Sequence, residues 1–178
     1  MSDLISRAER FVRERHKGQF RRNGEPYINH PLRVSENVLK FKGSPRVSEL
    51  AAAALLHDTL EDTDTKVSEI REKFGEFVAL LVVQLTIDRS IANTIGKTKY
   101  LSKKFSDERK VGDWALAIKL ADRLDNVSDF DIMDDEFVAR YTLQTLEFLS
   151  VIENNRKLSA IHTELIREIR NKMDDVKL

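Results

Sequence analysis

The sequence predicts an all-α protein, a single domain over residues 1–178 built as a bundle of about eight to ten helices. Three observations carry this reading. All three prolines (Pro26, Pro31, Pro45) fall in the first 45 residues, and the chain then runs to Leu178 without another. That proline-free stretch is rich in Leu, Ala, Glu, Lys and Arg, the residues that lose least on entering a helix. Apolar residues recur every three to four positions, and no segment offers a partner for a strand.

The first helix is expected over about Asp3–His16, with Leu4, Ala8, Phe11, Val12 and Arg15 following the 3.6-residue period, and it ends near Gly18. A polar loop, Gln19–Pro26, is punctuated by Asn23-Gly24 and Pro26. The second helix starts around His30-Pro31, where proline suits a first turn, and carries Leu32, Val34, Val38, Leu39 and Phe41. Ser44 caps and Pro45 opens a third helix whose centre, Leu50–Leu56, is apolar nearly all round and is therefore buried. Thr65, with Glu69 near the capping-box position, starts a fourth helix that Gly75 ends. Phe77–Leu85 reads as helix for want of any partner strand, and Ile87–Gly96 reads as irregular. A basic helix over Lys97–Phe105, an Asp113-capped helix through Leu124, and two long amphipathic helices over Asp135–Asn154 and Asn155–Met173 complete the chain.

Composition narrows the function. Without cysteine there is no disulfide, thiol nucleophile or thiolate metal site. Thirty Lys and Arg balance thirty Asp and Glu, which argues against a dedicated nucleic-acid or anionic-membrane binder. No run of apolar residues reaches the length of a membrane span, and the segment from Met1 to Arg7 has no apolar signal core, so the cytoplasm is the expected compartment.

Three polar clusters interrupt apolar helical faces. His57-Asp58 follows Ala54-Leu55-Leu56, with Glu61 and Asp62 each four residues further on, a spacing that stacks the four side chains on one side of a helix. Asp122 lies within Ile118–Leu124, and Asn126 follows one turn later. His30 opens the second helix. A buried bare carboxylate is costly unless it is paired or holds a cation. Two imidazoles and two carboxylates from three helices suit a divalent first-row ion, which makes a nucleophile of water near neutral pH. Each cluster also has a plainer reading: Asp122 as an ion-pair partner of Lys119 or Arg123, Glu61–Asp64 as a solvated helix end, and Arg21-Arg22-Asn23 as a solvated basic turn. His16 at its helix end reads as structural, His162 as exposed, and Phe137, Tyr141, Leu146, Phe148 and Leu149 as core.

The ordered set His30, His57-Asp58, Asp122 in an all-α chain resembles the HD superfamily of metal-dependent phosphohydrolases. The segments His16–Arg21, Gly24–Pro31, Ala53–Thr63 and Lys119–Asn126 resemble the hydrolase domain of RelA/SpoT proteins. The chain has no room for the further domains of the long members, and is similar to the stand-alone small alarmone hydrolases, the group that includes the metazoan SpoT homologue.

The resemblance implies a single HD-type domain and removal of the 3′-pyrophosphate from (p)ppGpp to give GDP or GTP. It places metal ligands on His30, His57, Asp58 and Asp122, with one Mn2+ per site or another divalent first-row metal. It places the acidic catalytic pair on Glu61 and Asp62, without saying which acts as acid or base. Arg21, Arg22 and Asn23 fall on the purine-facing loop, Asn126 on a nucleotide contact, and Tyr141 near the ribose. Arg22 and Asn23 stand where many relatives carry lysine and serine, which leaves (p)ppApp open as the substrate. NADPH also stays open, as does a nucleotide sensor that binds without turnover. Lys97 and Lys99 are candidate phosphate contacts.

Overall fold

The computed structural model describes residues 3–41 and 44–175; Met1 and Ser2, part of the N-terminal segment read above, lie outside them. Among the described residues the regular elements are eleven α-helices and one 3-10 turn, with a lone antiparallel bridge, Phe20 to Pro26, as the extended pairing. The all-α class therefore holds. The chain divides into two compact units, Met1–Thr86 and Ile87–Leu178.

The first unit contains α1 (Asp3–Arg15), α2 (Asn29–Leu39), α3 (Val47–Leu56), the single turn α4 (Thr59–Asp62), α5 (Val67–Phe74) and α6 (Glu76–Leu85). α3 is its centre: every residue from Leu50 to Leu56 is buried. It packs on α1, α2 and α6, so apolar residues are needed all round. Four consecutive alanines, Ala51–Ala54, let those neighbours approach closely. Leu50, Leu55 and Leu56 fill the remaining volume, each contributing roughly 1.5–3 kcal/mol of burial. The start of this helix differs from the sequence expectation: Ser44 Oγ accepts from Arg46 N at 3.3 Å and holds a turn, and the helix begins only at Val47. The next cap also differs. Lys66 occupies the N-cap of α5 with no side-chain bond, because the Thr65 hydroxyl pairs with that of Thr63 at 2.7 Å. Gly75 closes α5 as expected, at φ +92, a conformation that a side chain would strain. The stretch Glu76–Ile95 is long and apolar enough by composition to suggest a membrane span. The backbone nevertheless turns extended at Thr86, so α6 is ten residues long, about 15 Å, half the depth of a bilayer core.

The second unit contains α7 (Arg89–Ile95), α8 (Lys97–Phe105), α9 (Asp113–Ser128), the 3-10 turn Phe130–Ile132, α10 (Asp135–Asn155) and α11 (Ala160–Asp174). α9 packs on α11, while α8 packs on α7 and α10. The segment expected to be irregular is a helix. Its N-cap, Asp88, accepts from Ser90 N and Ile91 N at 3.0 and 3.2 Å, and this cap offsets the poor helix propensity of Ser, Ile, Asn and Thr in α7. Asp113 is the first helical residue of α9 and not its cap; its carboxylate accepts from the buried Arg156, which also donates to Phe105 O, each at 2.8 Å.

His162 is buried, contrary to expectation. It forms a capping box with Ser159 and its Nε2 lies 2.9 Å from Asp113 O. Burial holds this imidazole below its ordinary pKa, against the opposing pull of Asp113. Leu146 is also misread as core: it is exposed, together with Leu143 one turn earlier, whereas Phe148 and Leu149 are buried.

Candidate metal and nucleotide site

α3 ends where its own side chains capture its last carbonyls. His57 Nδ1 lies 2.7 Å from Ala54 O, and Thr59 Oγ1 donates to Leu56 O at 2.7 Å. These local bonds compete with the helical ladder. The chain breaks at His57-Asp58 and restarts as α4, with Asp58 O accepting from Glu61 N and Asp62 N at 3.1 and 3.0 Å. The four polar residues therefore do not ride one continuous helix, as their spacing suggested; they straddle a break. Asp58 is half-buried at the break, Glu61 is half-buried in the turn, and Asp62 is exposed.

His30, in the first turn of α2, comes up against this break. His30, His57 and Asp58 each offer one ligand atom, and these atoms all lie within 4.8 Å of one another. His57 Nε2 is 2.9 Å and His30 Nε2 3.8 Å from the same carboxylate oxygen, Asp58 Oδ2, and both imidazoles are buried. The Ala54 carbonyl can only accept, so Nδ1 of His57 carries the proton. With Nδ1 committed to that carbonyl, Nε2 of His57 faces the Asp58 carboxylate oxygen, and a cation among the three ligand atoms would satisfy both. Two imidazoles and a carboxylate are a donor set that fits a divalent first-row metal, and fixing the tautomer through Nδ1 is how a metal-binding histidine is commonly oriented.

Two side chains that the sequence reading left without roles shape this cluster. Tyr27 donates its hydroxyl to Asp58 Oδ2. Gln19 Nε2 donates to the Asp62 carbonyl at 3.0 Å. Tyr27 could have been noticed from its place three residues before His30; nothing local marks Gln19.

The loop between them holds Arg21, Arg22 and Asn23. It is a tight turn: Arg21 N donates to Glu25 O at 2.8 Å, Gly24 N donates to Arg21 O at 2.9 Å, and Asn23 Oδ1 accepts from Glu25 N at 3.0 Å. Partial burial pushes the Glu25 carboxyl up. Hydrogen bonds from Arg33 and Asn29, with the charges of Arg33 and Arg21, more than reverse this and hold it below the ordinary value. Arg22 is exposed and Arg21 half-buried.

Asp122, Asn126 and Tyr141 stand in the second unit. Asp122 is buried on α9; Lys119 Nζ meets its Oδ2 at 2.6 Å, and Asn126 Nδ2 donates to its Oδ1 at 2.8 Å. The ion-pair reading of Asp122 thus has its partner in Lys119. Arg123 turns away from Asp122 and buries its guanidinium between the Tyr141 and Phe148 rings, 5.1 and 4.8 Å from their centroids. It also donates to Thr145 Oγ1 at 2.8 Å. Tyr141 stacks on Phe137 with ring centroids 5.5 Å apart, so this half-buried ring is held from two sides. α8 lines a cleft of about 310 Å³ with Tyr100, Lys103 and Lys104, joined by Ile91, Ile95 and Lys110; Lys97 and Lys99 do not line it.

The all-α fold and the His…His-Asp cluster at a helix break agree with the family comparison. The model of the HD domain family matches residues 8–157, and the chain belongs to that family. Within it, the chain is 32% identical over 163 residues to the guanosine-3′,5′-bis(diphosphate) 3′-pyrophosphohydrolase MESH1 of Danio rerio, covering 89% of this chain and 88% of that one. It is 40% identical over 170 residues to the guanosine-3′,5′-bis(diphosphate) 3′-pyrophosphohydrolase of Aquifex aeolicus, covering 92% of this chain and 23% of that one. The chain spans a fifth to a quarter of the long bacterial relatives it matches. Among solved structures, it superposes on a metazoan ortholog of SpoT that hydrolyzes ppGpp with a TM-score of 0.74 at 27% identity, covering 97% of this chain and 96% of that one.

Proposed function

We propose that this protein is a cytoplasmic, manganese-dependent hydrolase that removes the 3′-pyrophosphate of ppGpp or pppGpp, giving GDP or GTP. The observation that carries the reading is the convergence of the His30 and His57 imidazoles on the Asp58 carboxylate in a chain of the HD domain family. The names of the Danio and Aquifex relatives supply the substrate. The family match runs through both compact units, which supports reading residues 1–178 as one HD-type domain.

In this reading His30, His57, Asp58 and Asp122 hold one Mn2+, with Asp122 assigned by the family pattern. A divalent ion there acidifies a water and offsets phosphate charge. The remaining work falls to the chain's own side chains. Glu61 and Asp62, on the turn that follows Asp58, take a proton from the attacking water and return one to the leaving 3′ oxygen. The Arg21 guanidinium is planar and stacks on the purine, Arg22 meets phosphate, and Asn23 hydrogen-bonds the base edge. Asn126 contacts the nucleotide and Tyr141 the ribose. One water is consumed, the 3′ O–P bond breaks, and pyrophosphate departs.

The test is ion-exchange analysis of products after incubation of manganese-loaded protein with ppGpp, ppApp and NADPH in parallel. Conversion of ppGpp to GDP and pyrophosphate is expected. Cleavage of ppApp or NADPH alone would overturn the guanine assignment, and binding without any turnover would favour a sensor.

A further inference from the structure

The loop that carries Arg21, Arg22 and Asn23 enters and leaves through two residues that each bind the catalytic segment. On the entering stem, the Gln19 side chain donates to the Asp62 carbonyl at 3.0 Å. On the leaving stem, Tyr27 donates its hydroxyl to Asp58 Oδ2. The stems are paired to each other, Tyr27 N donating to Gln19 O at 2.9 Å, beside the Phe20–Pro26 bridge. His16 locks both. Its ring lies against that of Tyr27, centroids 4.7 Å apart and planes 33° apart, and its Nδ1 is 2.6 Å from Gln19 Oε1. An amide oxygen only accepts, so Nδ1 donates and the Gln19 amide is oriented with its NH2 toward Asp62. His16 is buried, and its Nε2 has no hydrogen-bond partner among the described residues. A buried polar atom left in that state is costly. An apolar ring would pack there without the penalty, but it could not orient Gln19. A helix-dipole role for His16 does not account for these two contacts.

We propose that Gln19 and Tyr27, oriented by His16, are positioning residues that tie the purine-facing loop to the segment carrying the site's acids: Gln19 sets the acidic turn through the Asp62 main-chain carbonyl, and Tyr27 sets the Asp58 carboxylate. The inference rests on the proposed reading of Asp58 as a metal ligand and of Glu61-Asp62 as the acid–base pair. It separates two effects that general loss of structure would merge, because each stem touches a different step.

The test uses the full chain with three substitutions. Gln19→Met removes both amide bonds. Gln19→Glu keeps an acceptor for His16 but cannot donate to Asp62. Tyr27→Phe keeps the ring against His16 and removes only the hydroxyl. Kinetics on ppGpp give kcat and KM, a manganese titration followed by electron paramagnetic resonance gives metal affinity without any substrate, and circular dichroism gives the melting temperature. Both Gln19 variants are expected to lower kcat about tenfold with KM within about twofold, manganese affinity being unchanged. Tyr27→Phe is expected to weaken manganese binding by about tenfold or more. The inference is overturned if Gln19→Met keeps the parent kcat, if Gln19→Glu behaves like the parent, or if kcat, KM and metal affinity all move together with the melting temperature. Should the parent protein turn over no nucleotide, the proposed activity fails separately, and an unchanged manganese affinity in Tyr27→Phe would still overturn the positioning role.

Discussion

The two compact units present their polar residues in opposite ways. In the second, Asp122 sits on an uninterrupted helix, and neighbours on that same helix meet its carboxylate: Lys119 three residues before and Asn126 four residues after. In the first, Asp58 sits at a break in the backbone, and the carboxylate is fixed by Tyr27, 31 residues away, while the following turn is fixed by Gln19, 43 residues from Asp62. A helix places side chains by its period, at almost no extra cost. A break places them wherever distant partners hold them, so Asp58 depends on residues far along the chain where spacing alone brings Lys119 and Asn126 to Asp122.

The contrast can be broken by experiment. The largest effects are expected from Asp58→Ala and Asp122→Ala, which should each lose turnover and bound manganese while keeping a helical circular dichroism spectrum. Full metal content in Asp122→Ala, measured by inductively coupled plasma mass spectrometry, would confine the metal to His30, His57 and Asp58. Glu61→Gln and Asp62→Asn come next, with kcat lower by roughly 10²–10⁴ and manganese retained. Loss of metal from either would move that carboxylate into the ligand set. Arg21→Ala should raise KM up to about tenfold, the worth of a guanidinium stacked on an aromatic face, and a steady-state titration with ppGpp checks it. An unchanged KM would return Arg21 to a solvated turn.

The smallest effect concerns pH and reports on the second unit alone. Burial holds His162 below its ordinary pKa, so the folded state resists a proton that the unfolded chain accepts below about pH 6.5. The unfolded state then binds more protons, and stability should fall as pH drops through that value, flattening once the folded His162 itself titrates. The hydrogen-exchange protection factors of α11 amides, corrected for the intrinsic pH dependence of exchange, should fall between neutral and mildly acidic pH more than in a His162→Asn variant. Equal slopes would show that another group dominates.

Where the period decides, the sequence was readable. The basic helix Lys97–Phe105 has the bounds its sequence predicts, and composition alone marks α3 as buried. His57 and Asp58 were found because polar residues beside Ala54-Leu55-Leu56 break an apolar pattern. What escaped depends on bonds that close over long separations or on local capping. Gln19 and Tyr27 look like ordinary loop residues until the chain folds back on itself. α7 was hidden because Asp88 supplies its start while Ser90, Asn93 and Thr94 argue against helix. His162 sits among charged neighbours on α11, and only the carbonyl of Asp113, 49 residues earlier, explains its burial.

The four alanines of α3 set a genetic expectation. Each lies buried on the helix that ends at His57, so a bulkier residue has to push a neighbouring helix aside, costing about 1–3 kcal/mol. In a random-mutagenesis screen for loss of the proposed activity, substitutions at Ala51–Ala54 should therefore recur alongside those at the proposed metal ligands. They should differ in kind: alleles in the alanine tract would be temperature-sensitive and recover at low growth temperature, whereas alleles at Asp58 would be dead at every temperature.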